Sequence, residues 1–193
     1  MRRTLACLVL ALAATAPAGA GDLEAGVAAA RRGDYGAALR EWRPLAEAGN
    51  PHAQFNLGLL YENGLGVPAD GAEAARWYRR AAEQNDRQAQ AYLAEMYAQG
   101  LGVARDDVQA LHWYRLAAQR GDAASQYNVG LFYAAGRGIA PSDVQAVAWL
   151  SVAHENGAPP TELLETLWKH MPAASLTQAE RLAEDVRRQC RVN

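Results

Sequence analysis

The feature that most constrains this chain is a glycine motif that returns at a fixed interval. YENGLGVPAD runs from Tyr61 to Asp70, YAQGLGVARD from Tyr97 to Asp106, and YAAGRGIAPS from Tyr133 to Ser142, each thirty-six residues after the last. Taken alone, one copy invites comparison with a phosphate-binding loop. A Walker loop, however, needs a lysine and a Ser or Thr directly after its last glycine, and a dinucleotide loop needs three glycines between a strand and a helix. Val67 and Pro68 follow Gly66 here. A ligand loop normally occurs once, whereas structural punctuation recurs with every unit of a repeat array.

Within each unit small and apolar residues fall three and four apart, which places them on one face of a helix. In the first helix of the units these are Ala53, Leu57, Gly58 and Tyr61; Ala89, Leu93, Ala94 and Tyr97; and Ser125, Val129, Gly130 and Tyr133. The small residue at Gly58, Ala94 and Gly130 predicts a close approach of the partner helix. Gly64, Gly100 and Gly136 fall where this helix must end, because glycine takes the left-handed conformation without a Cβ clash. Val67, Val103 and Ile139 are placed to tuck under the turn. Asp70 followed by Glu73, Asp106 by Gln109 and Ser142 by Gln145 are capping boxes that start a second helix. That helix carries Ala74, Trp77, Tyr78 and Ala81, then Ala110, Trp113, Tyr114 and Ala117, then Ala146, Trp149, Leu150 and Ala153. An aromatic stripe among alanines at this spacing reads as core rather than as a sugar- or cofactor-stacking surface.

A degenerate unit, residues 22–50, precedes three full ones at about 51–86, 87–122 and 123–157. Its second helix runs from Asp34 to Asn50, with Ala38 and Trp42 in the places of Ala74 and Tyr78, and Leu23 to Arg32 forms its short first helix. Pro44 predicts a kink. After Gly157, Pro159 and Pro160 the array breaks, and residues 158–193 form C-terminal capping helices. Leu163, Leu164, Leu167, Trp168 and Met171 share one face. Ala179, Leu182, Ala183, Val186 and Cys190 share another, on a helix opened by a Thr177–Glu180 capping box.

The chain opens with MRRTLACLVLALAATAPAGA, in which two arginines precede an apolar run and a small-residue triplet. This is the pattern of a secretory signal peptide, residues 1–20, with cleavage expected after Ala20. A periplasmic or secreted chain follows. Cys7 leaves with the peptide, so only Cys190 remains and no intrachain disulfide can form. Without Arg2 and Arg3, the 19 basic and 21 acidic side chains become a formal net charge of about −4. No basic stripe suggests nucleic acid, and no later apolar stretch is long enough for an integral membrane span.

Leu-Gly and Tyr in the first helix, Gly-x-Gly-Val in the turn, an Asp, then Ala with Trp-Tyr and Ala-Ala resemble the SEL-one-like repeat, a subclass of the tetratricopeptide superfamily. The resemblance covers about Leu23 to Gly157. It implies an all-α fold, an α-solenoid wound as a right-handed superhelix of stacked antiparallel helix pairs. It also implies an adaptor that binds proteins or peptides on its concave face rather than an enzyme. One branch of the family has a disulfide in each repeat and an association with β-lactam binding; this chain lacks those cysteine pairs.

By analogy with tetratricopeptide grooves, the residues off the packing face of each first helix form the concave surface. The candidates are His52, Phe55, Glu62 and Asn63, with Leu59, in the first unit, Gln88, Glu95 and Gln99 in the second, and Tyr127 in the third. Two aromatics, amides and two carboxylates suit a protein or peptide partner with polar or basic groups. Phe55 and Tyr127 fit equally well as packing between neighbouring helices. No catalytic constellation, metal site or cofactor motif is present: His52, His112, His154 and His170 lack ligand spacing, and no GxSxG surrounds a serine. Cys190 reads as a buried thiol, with a disulfide-linked dimer as the other possibility and the oligomeric state otherwise open. The leading expectation is a scaffold of the bacterial cell envelope. The alternative is a peptidoglycan- or glycan-associated protein or enzyme.

Overall fold

The computed structural model describes residues 21–192, so the expected signal peptide, residues 1–20, lies outside the described residues. All regular structure among the described residues is α-helical. The order is α1 (Leu23–Arg31), α2 (Tyr35–Glu47), α3 (Pro51–Asn63), α4 (Gly71–Glu83), α5 (Arg87–Gln99), α6 (Asp107–Gln119), α7 (Ala123–Ala135), α8 (Asp143–Glu155), α9 (Glu162–His170) and α10 (Ala173–Val192). From α1 to α8 consecutive helices pack in antiparallel pairs, and each pair packs on the next, which is an α-solenoid, while α9 and α10 both lie against α8.

The glycine loop has two separate tasks. Its first glycine ends the first helix of the unit: Gly64, Gly100 and Gly136 have φ of 65°, 75° and 66° and donate to Leu60, Met96 and Phe132. Its second glycine joins units. A Cβ on Gly102 would stand 2.1 Å from the Gly71 carbonyl carbon, and one on Gly138 would stand 2.5 Å from the Asp107 carbonyl oxygen. Each loop therefore rests on the start of the preceding unit's second helix. Val67, Val103 and Ile139 are half-buried against the core beneath it.

The second-helix starts are capped on one side only. Asp70 and Asp106 each accept from two backbone amides, and Ser142 accepts from Gln145 N. The reciprocal half of the expected capping box is not made. The cap amides of Asp70, Asp106 and Ser142 instead donate to the backbone oxygens of Tyr61, Tyr97 and Tyr133, each at 2.9 Å, and so close the loop onto the helix it has just left.

The predicted core faces are inside. Leu57, Leu93 and Val129 are fully buried, as are Ala74, Ala110 and Ala146, and Trp77, Tyr78, Tyr114 and Trp149 are buried beside them. The close approaches fall at the expected small residues, since a Cβ on Gly58 would meet the Tyr78 ring at 2.4 Å and one on Gly130 would meet Leu150 at 2.6 Å.

Two polar ladders with the same period stitch the units together. The buried side-chain amides of Gln54, Gln90 and Gln126 donate to Ala46, Ala82 and Ala118 O at 3.0, 3.1 and 3.0 Å. Each of these carbonyls also accepts from a backbone amide of the turn that follows, Gly49, Asn85 or Gly121 N, so the glutamine supplies a second bond across the unit boundary. Arg43, Arg79 and Arg115 each donate to the phenol oxygen of the next unit's tyrosine, Tyr61, Tyr97 or Tyr133.

The C-terminal pair departs from expectation in two ways. α10 begins at Ala173, not at Thr177. Thr177 lies inside the helix, where its hydroxyl donates back to Ala173 O, an alternative to capping that Thr side chains offer. α10 makes the closer cover of the array: Ala179, Ala183 and Val186 are buried on it, Arg187 forms a two-point ion pair with Glu155 of α8, and from α9 only Leu167 packs on the same core. α9 buries none of its residues and lies against α8, with Trp168 exposed. α2 continues past Pro44 to Glu47 as one helix.

Candidate partner-binding groove

First helices of successive units, α3, α5 and α7, bring their off-core side chains to one side of the array. Sequence spacing placed Phe55 among the groove residues, but Phe55 is 7% exposed and packs between helices, its ring 5.6 Å from that of Tyr78 and 5.4 Å from that of Tyr92. Tyr92, which the spacing did not single out, is 40% exposed and is the aromatic this face presents. Tyr127 is half-buried.

Glu62 and Glu95 are committed to the fold as well as placed at the groove. The Tyr78 hydroxyl donates to Glu62 Oε2 at 2.6 Å, and the Tyr114 hydroxyl donates to Glu95. Burial, and then the neighbouring carboxylate, push both phenols well above the usual tyrosine range. The third unit has Leu150 in place of the tyrosine, and Leu131 and Ala134 where the others carry an acid. A buried hydroxyl needs an acceptor, so acid and tyrosine occur together or not at all.

Of the remaining predicted residues, His52 is exposed, with Nδ1 3.3 Å from Asp86 Oδ2. Gln88 is exposed; Asn63 donates to Leu59 O at 2.9 Å, and the Gln99 amide donates to Glu95. Glu95 converges on a recess of about 180 Å³ between α5 and α7, where it meets Tyr92, Tyr114, Asp122, Ser125 and Asn128. His52, Asn63, Gln88, Gln99 and Tyr127 do not line the recess to which Glu95 belongs. No Lys, Arg or His lines this recess. Asp122 caps α7 by accepting from Ser125 N at 2.8 Å. Ser125 is 1% exposed, and its Oγ has no hydrogen-bond partner. The recess is smaller than the 300 Å³ or more typical of small-molecule and cofactor sites. Among the described residues no group of three or more His, Cys, Asp or Glu could hold a metal ion.

Cys190 is half-buried on α10. Its thiol donates to Ala118 O at 3.3 Å and lies 3.5 Å from the Gln126 amide. Burial pushes its pKa up, which disfavours the reactive thiolate. Among the described residues no helix is long and apolar enough to cross a membrane.

The Sel1 repeat profile matches residues 51–86, 87–122 and 123–157, over half of the chain. A crystal structure of a Sel1 repeat protein from Oxalobacter formigenes is similar at 26% identity and a TM-score of 0.72, covering 85% of this chain and 70% of that one. A protective antigen of uropathogenic Escherichia coli strains with the SLR fold is similar at 28% identity and a TM-score of 0.55. The match covers 86% of this chain but only 44% of the antigen. No curated protein matches. With three matched units, the glycine stops and the paired helices in agreement, the chain belongs to the Sel1 repeat family.

Proposed function

We propose that this chain is a non-catalytic scaffold of the bacterial cell envelope, periplasmic or secreted, that holds a protein or peptide partner on the concave face of its solenoid. Sel1 repeat proteins are generally protein-interaction scaffolds and typically non-catalytic. The observation that carries the reading is the side of the array formed by α3, α5 and α7. There an exposed Tyr92 stands beside carboxylates and amides, in a recess without a lining cation. An extended segment with basic or polar groups matches that surface in charge. The N-terminal MRRTLACLVLALAATAPAGA supports export.

The test is in-cell crosslinking and co-purification of the chain beside a Tyr92→Ala/Asn128→Ala variant, with circular dichroism on both. A discrete envelope protein captured by the wild type and lost from the folded variant is the expected result. Equal capture by both forms would remove the partner from this face. Co-sedimentation with cell-wall sacculi, lost in the variant and with no protein captured, would favour a glycan ligand instead.

A further inference from the structure

The repeats act as an internal control on one another, because equivalent positions in the three units serve the same packing. A departure of one unit from the others reflects different packing, as for Glu95 with Tyr114 and Tyr92 with Phe55, or, where no packing reason exists, needs another explanation. Four departures meet at the recess between α5 and α7. Ala91 stands where the neighbouring units carry Phe55 and Tyr127, and Tyr92 where they carry Asn56 and Asn128. Glu95 replaces Leu59 and Leu131, and Ser125 replaces Ala53 and Ala89. The small Ala91 leaves space, and Tyr92 walls it with an exposed ring.

Ser125 is the decisive residue. Alanine at this position is fully buried in the two preceding units, so the fold asks for no hydroxyl. The serine adds a buried oxygen without a partner to the lining of a recess that also holds two carboxylates. A buried polar group without a hydrogen bond is unfavourable, and a ligand that donates to it would remove that cost. Arg137, whose charge acts on Tyr114 and Glu95, is held by Asp107 at 2.5 Å and does not line the recess.

We propose that this recess is a lysine subsite. It takes one lysine side chain of an extended partner segment, with the stem against Tyr92 and the ammonium donating to Glu95, Asp122 and Ser125 Oγ. An ammonium carries three donors on a compact head, whereas a guanidinium presents a rigid planar fork of five; three acceptor residues around one small recess match the former. The recess volume of about 180 Å³ equals that of about six waters at liquid density, room for a single side chain. This assignment rests on the scaffold reading for its biological partner, while its chemistry can be tested separately.

The experiment titrates the purified, 15N-labelled chain with acetyl-Ala-Ala-Lys-Ala-Ala-amide and with the same peptide carrying norleucine or arginine, following backbone amide shifts. The lysine peptide is expected to shift the amides of Tyr92, Glu95 and Ser125. Ser125→Ala and Glu95→Gln should each weaken it about tenfold, as loss of a hydrogen bond to a charged group does. Ser125→Ala keeps the fold because alanine already occupies this position twice. Equal binding of the norleucine or arginine peptide, unchanged affinity in both variants, or no shift up to about 10 mM peptide would overturn the lysine subsite. A protein partner still crosslinked through Tyr92 would then leave the scaffold reading standing. Lysine-peptide binding without any captured partner would do the reverse.

Discussion

The second glycine of a turn can be tested against Gly121, which follows α6, because the structure gives the two different reasons to be glycine. Gly121 and Gly102 both have positive φ, 80° and 68°. A Cβ on Gly121 would meet nothing within 4 Å. Gly121→Ala therefore measures the left-handed backbone alone, about 1–2 kcal/mol. The preceding unit supports a cost of this size, since Asn85 occupies the equivalent place with φ 69°. A Cβ on Gly102 would lie 2.1 Å from Gly71 C, 2.2 Å from Gly71 O and 2.6 Å from Ala72 N. Carbon atoms pack at about 3.5–4.0 Å, so the loop and the start of α4 would have to part by more than an ångström. All three atoms belong to backbone and cannot rotate away. Overpacking of this kind adds about 1–3 kcal/mol, which brings Gly102→Ala to about 3 kcal/mol or more. With an m-value of about 1–3 kcal/mol/M, the urea midpoint of Gly102→Ala should fall about 1 M below that of Gly121→Ala. Equal midpoints at equal m would refute the assignment of the second glycine to the seam between units.

Four further outcomes follow from the same geometry. Gln84 and Asn156 donate to Gln54 and Gln126 Oε1 at 2.7 and 2.8 Å, while Gln90 Oε1 is buried without a partner and Arg120 stands in the donor's place. Arg120→Gln should therefore raise stability by about 1 kcal/mol in urea unfolding. Ser125→Ala should also stabilise by about 1 kcal/mol while weakening the lysine peptide, because it removes an unsatisfied buried hydroxyl. Asp107, held by Arg137 and Arg105, has its pKa lowered to about 2. Its contribution is full above the ordinary carboxylate value near 3.8 and is lost as pH falls towards 2. The pH-dependent part of the difference between wild type and Arg137→Leu should thus close over that window. Cys190 should react slowly with a thiol reagent in the native chain and fully in urea, with no covalent dimer on a non-reducing gel.

What could be read from the sequence divides along the distance over which its causes act. The first glycine, the helix spacing and the Asp and Ser caps were legible because each cause lies within a few residues. Gly66, Gly102 and Gly138 were not, because their reason lies in the preceding unit, at Tyr35, Gly71 and Asp107. Their recurrence was the available signal, since one glycine is enough to end a helix. The half-made capping boxes failed for a related reason: the cap amide is already taken by a tyrosine carbonyl nine residues earlier. Phe55 and Tyr92 exchanged roles because a helical wheel assigns faces to a single helix, while exposure here is set by stacking. Phe55 is covered by the next unit, whose small Ala91 opens the space that Tyr92 borders. At Thr177 the same Ser/Thr chemistry that caps a helix allowed a back-bond inside one. Comparison between units, position by position, would have added Tyr92 and Ser125 to the Glu95 that helix spacing already placed at the groove.

The most direct test of the central claim is a photocrosslinking residue placed at position 92 and, in a second variant, at position 76. Arg76 lies on α4, with its side chain 72% exposed. If the face formed by α3, α5 and α7 holds the partner, position 92 will crosslink a discrete envelope protein in the cell, through a segment that contains lysine, and position 76 will not. Crosslinks to the same protein from position 76 and none from position 92 would contradict the account.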